Sequence, residues 1–139
     1  MNYWIQNSVP HGAPDEIGVI QLAWLGDSVW ELHQRLKYVH LPLKSKELHL
    51  SVVNEVKAKY QSKYLSQIEH LLNENEIDLI RRARNKTRRN PKSSDPTIYS
   101  RATGFETLIG LLFLKDPQRL STIFEYLEFK MQCIHEKLF

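Results

Sequence analysis

The chain has 139 residues and a mass of 16.4 kDa, which is the size of one domain with room for a real core. A composition of 42% hydrophobic and 25% charged residues excludes a disordered or collagen-like chain, a single cysteine excludes an internal disulfide, and no apolar run approaches the ~20 residues of a membrane span. The net charge is only +3, but residues 81–101 hold eight basic residues and one acidic residue, a net +7, while the rest of the chain sums to −4. Charge gathered in this way points to a polyanionic partner; its alternative is a solvated helical face.

Residues 1–16 carry Pro10, Gly12 and Pro14 and read as irregular, with Asp15 placed to cap a helix starting near Glu16. From 17 to 39 the apolar residues recur at close to 3.6, over a face broad enough to be covered on more than one side. Gly26 is the one weak helix former in that stretch, and it predicts close approach of another backbone. Leu41-Pro42 breaks the chain, and a second helical period runs from Leu48 to Leu72 with a bend expected near Ser62. Asn73 to Asn75 read as a loop and cap before a short helix beginning at Glu76, whose acidic start and basic end suit the helix dipole. Residues 85–96 read as a polar loop; Thr97 or Ser100 opens a strongly apolar helix to Leu114, and Asp116-Pro117 opens a last amphipathic one. No segment alternates like a strand. The prediction is an all-α domain of five to seven helices over residues 1–139, without a basic and apolar leader.

The candidate chemistry is acidic. There is no phosphate-binding glycine loop, no Cys-x-x-Cys and no His-Glu-x-x-His, and the six histidines lack ligand spacing. Cys133 lies in an apolar helical pattern and reads as a buried structural thiol. Asp27 and Glu106, by contrast, each sit inside an apolar helical stretch. Burying a carboxylate is costly unless it is paired or binds a cation. Two of them, near a basic segment, make a hard-oxygen site suited to Mg²⁺; the alternative is that both are bonded to Arg82, Arg84 or Arg101.

The segment LAWLGDSVWE at residues 22–31 resembles the signature helix of the ribonuclease III family. ATGFETLIGLLFL at residues 102–114 resembles that family's second motif. Between them lie Arg-x-Arg-Asn at 82–85, Pro91-Lys92 and Tyr99-Ser100-Arg101-Ala102-Thr103. Ordinary members carry two further glutamates where this chain has Ile20 and Ala23, and an aspartate where it has Thr103. Those departures, together with no room for a double-stranded-RNA-binding domain, are similar to the Mini-III branch of bacteria, cyanobacteria and plastids. The resemblance covers roughly residues 17–128.

The resemblance implies a two-fold dimer and an endoribonuclease that cleaves double-stranded RNA to 5′-phosphate and 3′-hydroxyl ends. Its Mini-III relatives mature the large-subunit (23S) ribosomal RNA precursor. It makes Asp27 and Glu106 catalytic and ligands of Mg²⁺, with Mn²⁺ as a substitute ion. Glu31 is expected in a contact with Lys or Arg, and Thr103 is not expected to be a direct ligand. Ile20, Trp24 and Leu25 belong at the dimer interface, with Trp24 plugging into the partner; intramolecular core is the alternative for Trp24. Arg82, Arg84, Asn85, Arg88, Arg89, Lys92 and Ser93 are expected to grip the RNA, with Arg82 and Arg101 the arginines best placed for a structural role. The expected location is cytoplasmic, with a plastid stroma as the alternative, and no membrane is involved. The rival function is an inactive ribonuclease III-like domain that binds structured RNA; retention of both carboxylates argues against it.

Overall fold

A computed structural model describes residues 3–87 and 95–138. Among them there are seven α-helices and no strand: α1 (Tyr3–Ser8), α2 (Val19–Tyr38), α3 (Ser45–Val56), α4 (Ala58–Ile68), α5 (Glu74–Lys86), α6 (Pro96–Lys115) and α7 (Pro117–Leu138), with 3₁₀ turns at Pro14–Glu16 and Glu69–Leu71. The all-α expectation holds. No helix among the described residues is long and apolar enough to cross a membrane.

α6 is the central element, packed by α2, α4, α5 and α7. Its sequence dictates this, since residues from Ala102 to Leu112 are buried on nearly every side, including Phe105, Leu108 and Ile109. Trp30 of α2 fills the core beside it, fully buried and edge-on to Phe105 at 5.1 Å between ring centroids, with Tyr64 at 5.2 Å and Phe124 at 5.5 Å. Offset and edge-on aromatic pairs of this kind add to the stabilisation from area alone.

Two polar clamps fix how the helices sit. The Arg101 guanidinium of α6 donates from Nε to Ser62 Oγ (3.2 Å) and from Nη2 to Ser66 Oγ (2.7 Å), and pairs with Glu69 at 2.6 Å, holding α4 in one rotation against α6. Arg119 of α7 donates to both oxygens of buried Glu76 at 2.6 Å and to the Leu71 carbonyl at 2.9 Å. Glu76 is also the reciprocal partner of Asn73 in a capping box, each bond 2.9 Å, so α5 starts at Glu74, two residues before the expected Glu76.

Several local expectations change. Asp15 does not cap α2, which begins at Val19 behind Gly18; the Asp15 carboxylate pairs instead with Lys115 at 2.9 Å. The opening residues are not wholly irregular, since Tyr3–Ser8 is helical. The single helix expected over 48–72 is two, broken at Lys57, whose ψ of 147° is extended. The break lets each half use its apolar face on a different neighbour, α3 on α2 and α4 on α6. The cap of α6 is Asp95, whose Oδ1 accepts from the N–H of Thr97 (2.8 Å) and Ile98 (3.1 Å), with Pro96 in the first turn.

Candidate active site

The site is built where α2 crosses α6, and two glycines decide how close that crossing is. A Cβ on Gly26 would lie 1.8 Å from the Glu106 carbonyl oxygen, and one on Gly110 would lie 2.0 Å from the Leu22 carbonyl oxygen. The backbones therefore touch, as the sequence position of Gly26 predicts. Thr107 Oγ1 adds a tie between the helices, lying 3.0 Å from the Val19 carbonyl and 2.8 Å from that of Thr103. Asp27 follows Gly26 directly, and Glu106 is the residue whose carbonyl Gly26 touches. The crossing thus brings the two carboxylates together.

Their electrostatics differ with their depth. Glu106 is largely enclosed, and its pKa is pushed up to about 8, first by burial and then by the charge of Asp27; the Gln61 side chain acts in the opposite direction. Asp27 stands at the exposed rim, and burial and then Glu31 raise its pKa as well. A guanidinium beside either carboxylate would have the opposite effect. The arginines that could have neutralised them are engaged elsewhere: Arg82 Nε on Asp78 at 3.1 Å, Arg84 Nε near Ser100 Oγ at 3.4 Å, and Arg101 on α4. This disposes of the alternative in which the acidic pair is a structural ion-pair partner of those residues.

No cluster of three or more His, Cys, Asp or Glu side chains with metal-ligand geometry forms among the described residues. Among the described residues no basic side chain lowers the pKa of either carboxylate. A pair of hard oxygen donors with open positions matches the needs of a divalent cation that keeps most of its waters. Glu31 is tied to Arg35 at 2.7 Å, as expected of a contact with a basic residue. The Thr103 hydroxyl donates to the Tyr99 carbonyl of its own helix at 3.1 Å.

The other expected site residues fall into two groups. Ile20 and Trp24, one turn apart on α2, are 47% and 80% exposed, and Leu25 is half-buried. Trp24 is therefore not intramolecular core. α2 also leaves Leu32 and Leu36 exposed nearer its end, while beyond Trp24 the Ile20–Trp24 face carries the polar residues Asp27, Ser28, Glu31 and Arg35. Of the basic set, Arg82 and Asn85 are exposed and Arg84 is half-buried. Arg84, Asn85, Arg81 and Arg101 ring a cavity of about 690 Å³ between α4, α5 and the start of α6, floored by Leu65, Leu72 and Ile80. Arg88, Arg89, Lys92 and Ser93 lie outside the described residues.

One residue escapes the sequence reasoning. Gln61 reads as a surface polar residue, yet it is 1% exposed and packed at the acidic pair. A signal was present: Gln61 lies three residues before Tyr64, four before Leu65 and seven before Ile68, on the apolar stripe of its helix.

Residues 20–117 match the ribonuclease III domain, a span that contains both carboxylates and the glycine crossing between them. Among curated proteins, the Mini-ribonuclease 3 of Synechococcus sp. is 41% identical over 106 residues, covering 76% of this chain and 77% of that one. That of Gloeobacter violaceus is 42% identical over 102 residues, covering 73% and 76%. That of Synechocystis sp. is 33% identical over 127 residues, covering 90% and 89%. A crystal structure of a Fusobacterium nucleatum protein superposes with a TM-score of 0.73 at 32% identity, covering 79% of this chain and 92% of that one. The chain belongs to the ribonuclease III family, in its Mini-III branch.

Proposed function

We propose that this protein is a Mg²⁺-dependent endoribonuclease that cuts double-stranded RNA and takes part in maturing the large-subunit ribosomal RNA precursor in the cytoplasm. The observation that carries the reading is the pair Asp27 and Glu106 at the glycine crossing, both with raised pKa values, inside the ribonuclease III match. Asp27 and Glu106 would hold the ion, and Mn²⁺ would fit the same oxygen donors. When bound, the ion supplies Lewis-acid chemistry, making water a nucleophile near neutral pH and offsetting charge on the phosphodiester. Hydrolysis then leaves 5′-phosphate and 3′-hydroxyl ends. The test is incubation of an end-labelled RNA duplex, and of its single strands, with Mg²⁺ or with EDTA. Cleavage of the duplex alone, only with Mg²⁺ and to ligatable ends, supports the reading. A duplex bound but never cut supports the inactive, RNA-binding alternative.

In this reading two copies pair through the outer face of α2, so that each subunit cuts one strand. Ile20, Trp24 and Leu25 form the contact. An indole that is 80% exposed in one copy is the type of anchor that dominates interfaces, and its loss commonly costs about 2 kcal/mol or more. Trp24→Ala is expected to raise the dimer dissociation constant by about 30-fold or more in sedimentation. A profile identical to wild type removes Trp24 from the interface.

The RNA grip is the basic segment, with Arg82, Arg84, Asn85, Arg88, Arg89, Lys92 and Ser93 on phosphates and 2′-hydroxyls in place of a separate RNA-binding domain. Reversing Arg88 and Arg89 to Glu together is expected to weaken duplex binding. It should also make the dependence of log K on log salt shallower by about two, from two lost phosphate contacts. An unchanged slope moves the grip elsewhere.

A further inference from the structure

Gln61 has no role in the reading above; like Gln34 it is a fully buried helix glutamine with an unpartnered amide nitrogen, but Gln61 lies at the Glu106 carboxyl. It is 1% exposed. Its neighbour Ser62 accepts from Arg101 Nε at 3.2 Å, and Ser66 accepts from Arg101 Nη2 at 2.7 Å. That clamp holds α4 against α6 five residues before Glu106, and the Gln61 side chain lies at the Glu106 carboxyl, where it favours the ionised form. Yet Gln61 Nε2 completes no hydrogen bond of full bonding geometry. A buried amide N–H left without a partner costs about 1–3 kcal/mol. An apolar side chain of similar size would fill the same space without that cost, so stability alone does not account for a glutamine here.

We propose that Gln61 is a positioning residue for the metal site: its buried amide N–H takes one oxygen of the Glu106 carboxylate when a divalent cation engages that carboxylate, and so holds it in a single orientation toward the ion. The inference rests on the cation-site reading of Asp27 and Glu106. Glu106 has no described basic residue to orient it, and a carboxylate free to rotate loses entropy on binding an ion. Partners of this kind behind a metal ligand typically matter by 10–100-fold in metal affinity or activity.

The experiment compares wild type, Gln61→Met and Gln61→Asn in three measurements: Mg²⁺ and Mn²⁺ binding to the RNA-free protein by calorimetry, thermal unfolding in EDTA, and duplex cleavage resolved into kcat and KM. For Gln61→Met, cation affinity should fall about 10-fold or more, kcat should fall with KM for the duplex unchanged, and the ion-free melting temperature should be equal to or above wild type. Gln61→Asn keeps the amide and should recover part of the cation affinity. If Gln61→Met binds the ions as wild type does, or Gln61→Asn recovers none of the loss, the positioning role is overturned. A Gln61→Met protein that melts well below wild type in EDTA shows a structural glutamine and overturns it too. A wild-type protein that binds neither ion overturns the cation-site reading itself, and a wild type that binds them without cutting RNA overturns only the nuclease reading.

Discussion

Glu106→Gln is expected to abolish cleavage and, in the same protein, to stabilise the ion-free fold at pH 8. The two effects share one cause. The Glu106 carboxyl has its pKa raised from 4.5 to about 8 by burial and by the Asp27 charge. Below pH 4.5 it is neutral in both folded and unfolded chains, and the fold keeps its full stability from this group. Between 4.5 and about 8 the unfolded chain has lost the proton while the folded chain retains it. Stability therefore falls as pH rises, by about 1.4 kcal/mol per unit for one fully coupled group. Across the window the loss is on the order of 5 kcal/mol, and the raised pKa of Asp27 acts in the same direction. Glutamine has no proton to lose, so the variant's melting temperature in EDTA should decline much less than that of wild type from pH 5 to 8. If Glu106 holds the ion as proposed, losing its oxygen removes several kcal/mol of transition-state stabilisation, so cleavage should drop about 10³-fold or more. A divalent cation must displace the Glu106 proton below pH 8, so its apparent affinity should rise about tenfold per pH unit up to that point and then level off. A wild-type stability independent of pH in this window would mean that Glu106 is not buried beside Asp27.

Gly26→Ala should unfold or severely weaken the protein, although helix propensity alone would credit alanine with about 1 kcal/mol of stabilisation. The added methyl would meet the Glu106 carbonyl oxygen at 1.8 Å and its carbon at 2.7 Å. Backbone of a central helix cannot give way as the end of a side chain can, so α2 and α6 must separate. Overpacking of this type costs roughly 1–3 kcal/mol when side chains absorb it, and more is expected here. Gly110→Ala, with a contact of 2.0 Å to the Leu22 carbonyl, should behave alike. Gly104→Ala would clash with the Ile80 Cγ2 methyl at 2.8 Å, its other contacts being at ordinary distances of 3.5 and 3.6 Å, and should be the mildest of the three. Urea midpoints check the order. Equal, small shifts at all three positions would mean that the crossing is looser than described. Any of the first two variants that does fold should have lost cleavage, because the crossing sets the spacing of Asp27 and Glu106.

Much of this was legible in the chain because it is local. The apolar period of α2 and α6, the loop and cap at residues 73–75, and the glycine beside Asp27 each carry their structural meaning in adjacent residues. The parts that were not legible depend on distant neighbours. The break at Lys57 reflects a choice between packing on α2 and packing on α6, which a helical period shared by both halves does not encode. Trp24 and Trp30 sit on the same apolar helix, yet one is 80% exposed and the other fully buried; hydrophobicity marks a surface to be covered without saying whether its cover comes from the same chain. Asp27 and Glu106 have equally apolar sequence neighbours, but α4 closes over only one of them. Gln61 was missed for the same reason, since polarity in sequence does not report what tertiary packing has enclosed.

The central claim, that Asp27 and Glu106 form the metal site of a double-stranded-RNA endonuclease, is tested most directly by one cleavage assay. An end-labelled RNA duplex is incubated with wild type, Asp27→Asn and Glu106→Gln, each confirmed folded, in Mg²⁺ and in EDTA. The account predicts cutting by wild type in Mg²⁺ only, and none by either variant, with duplex binding retained in both. Cleavage that persists in EDTA, or that either variant performs at the wild-type rate, would contradict it.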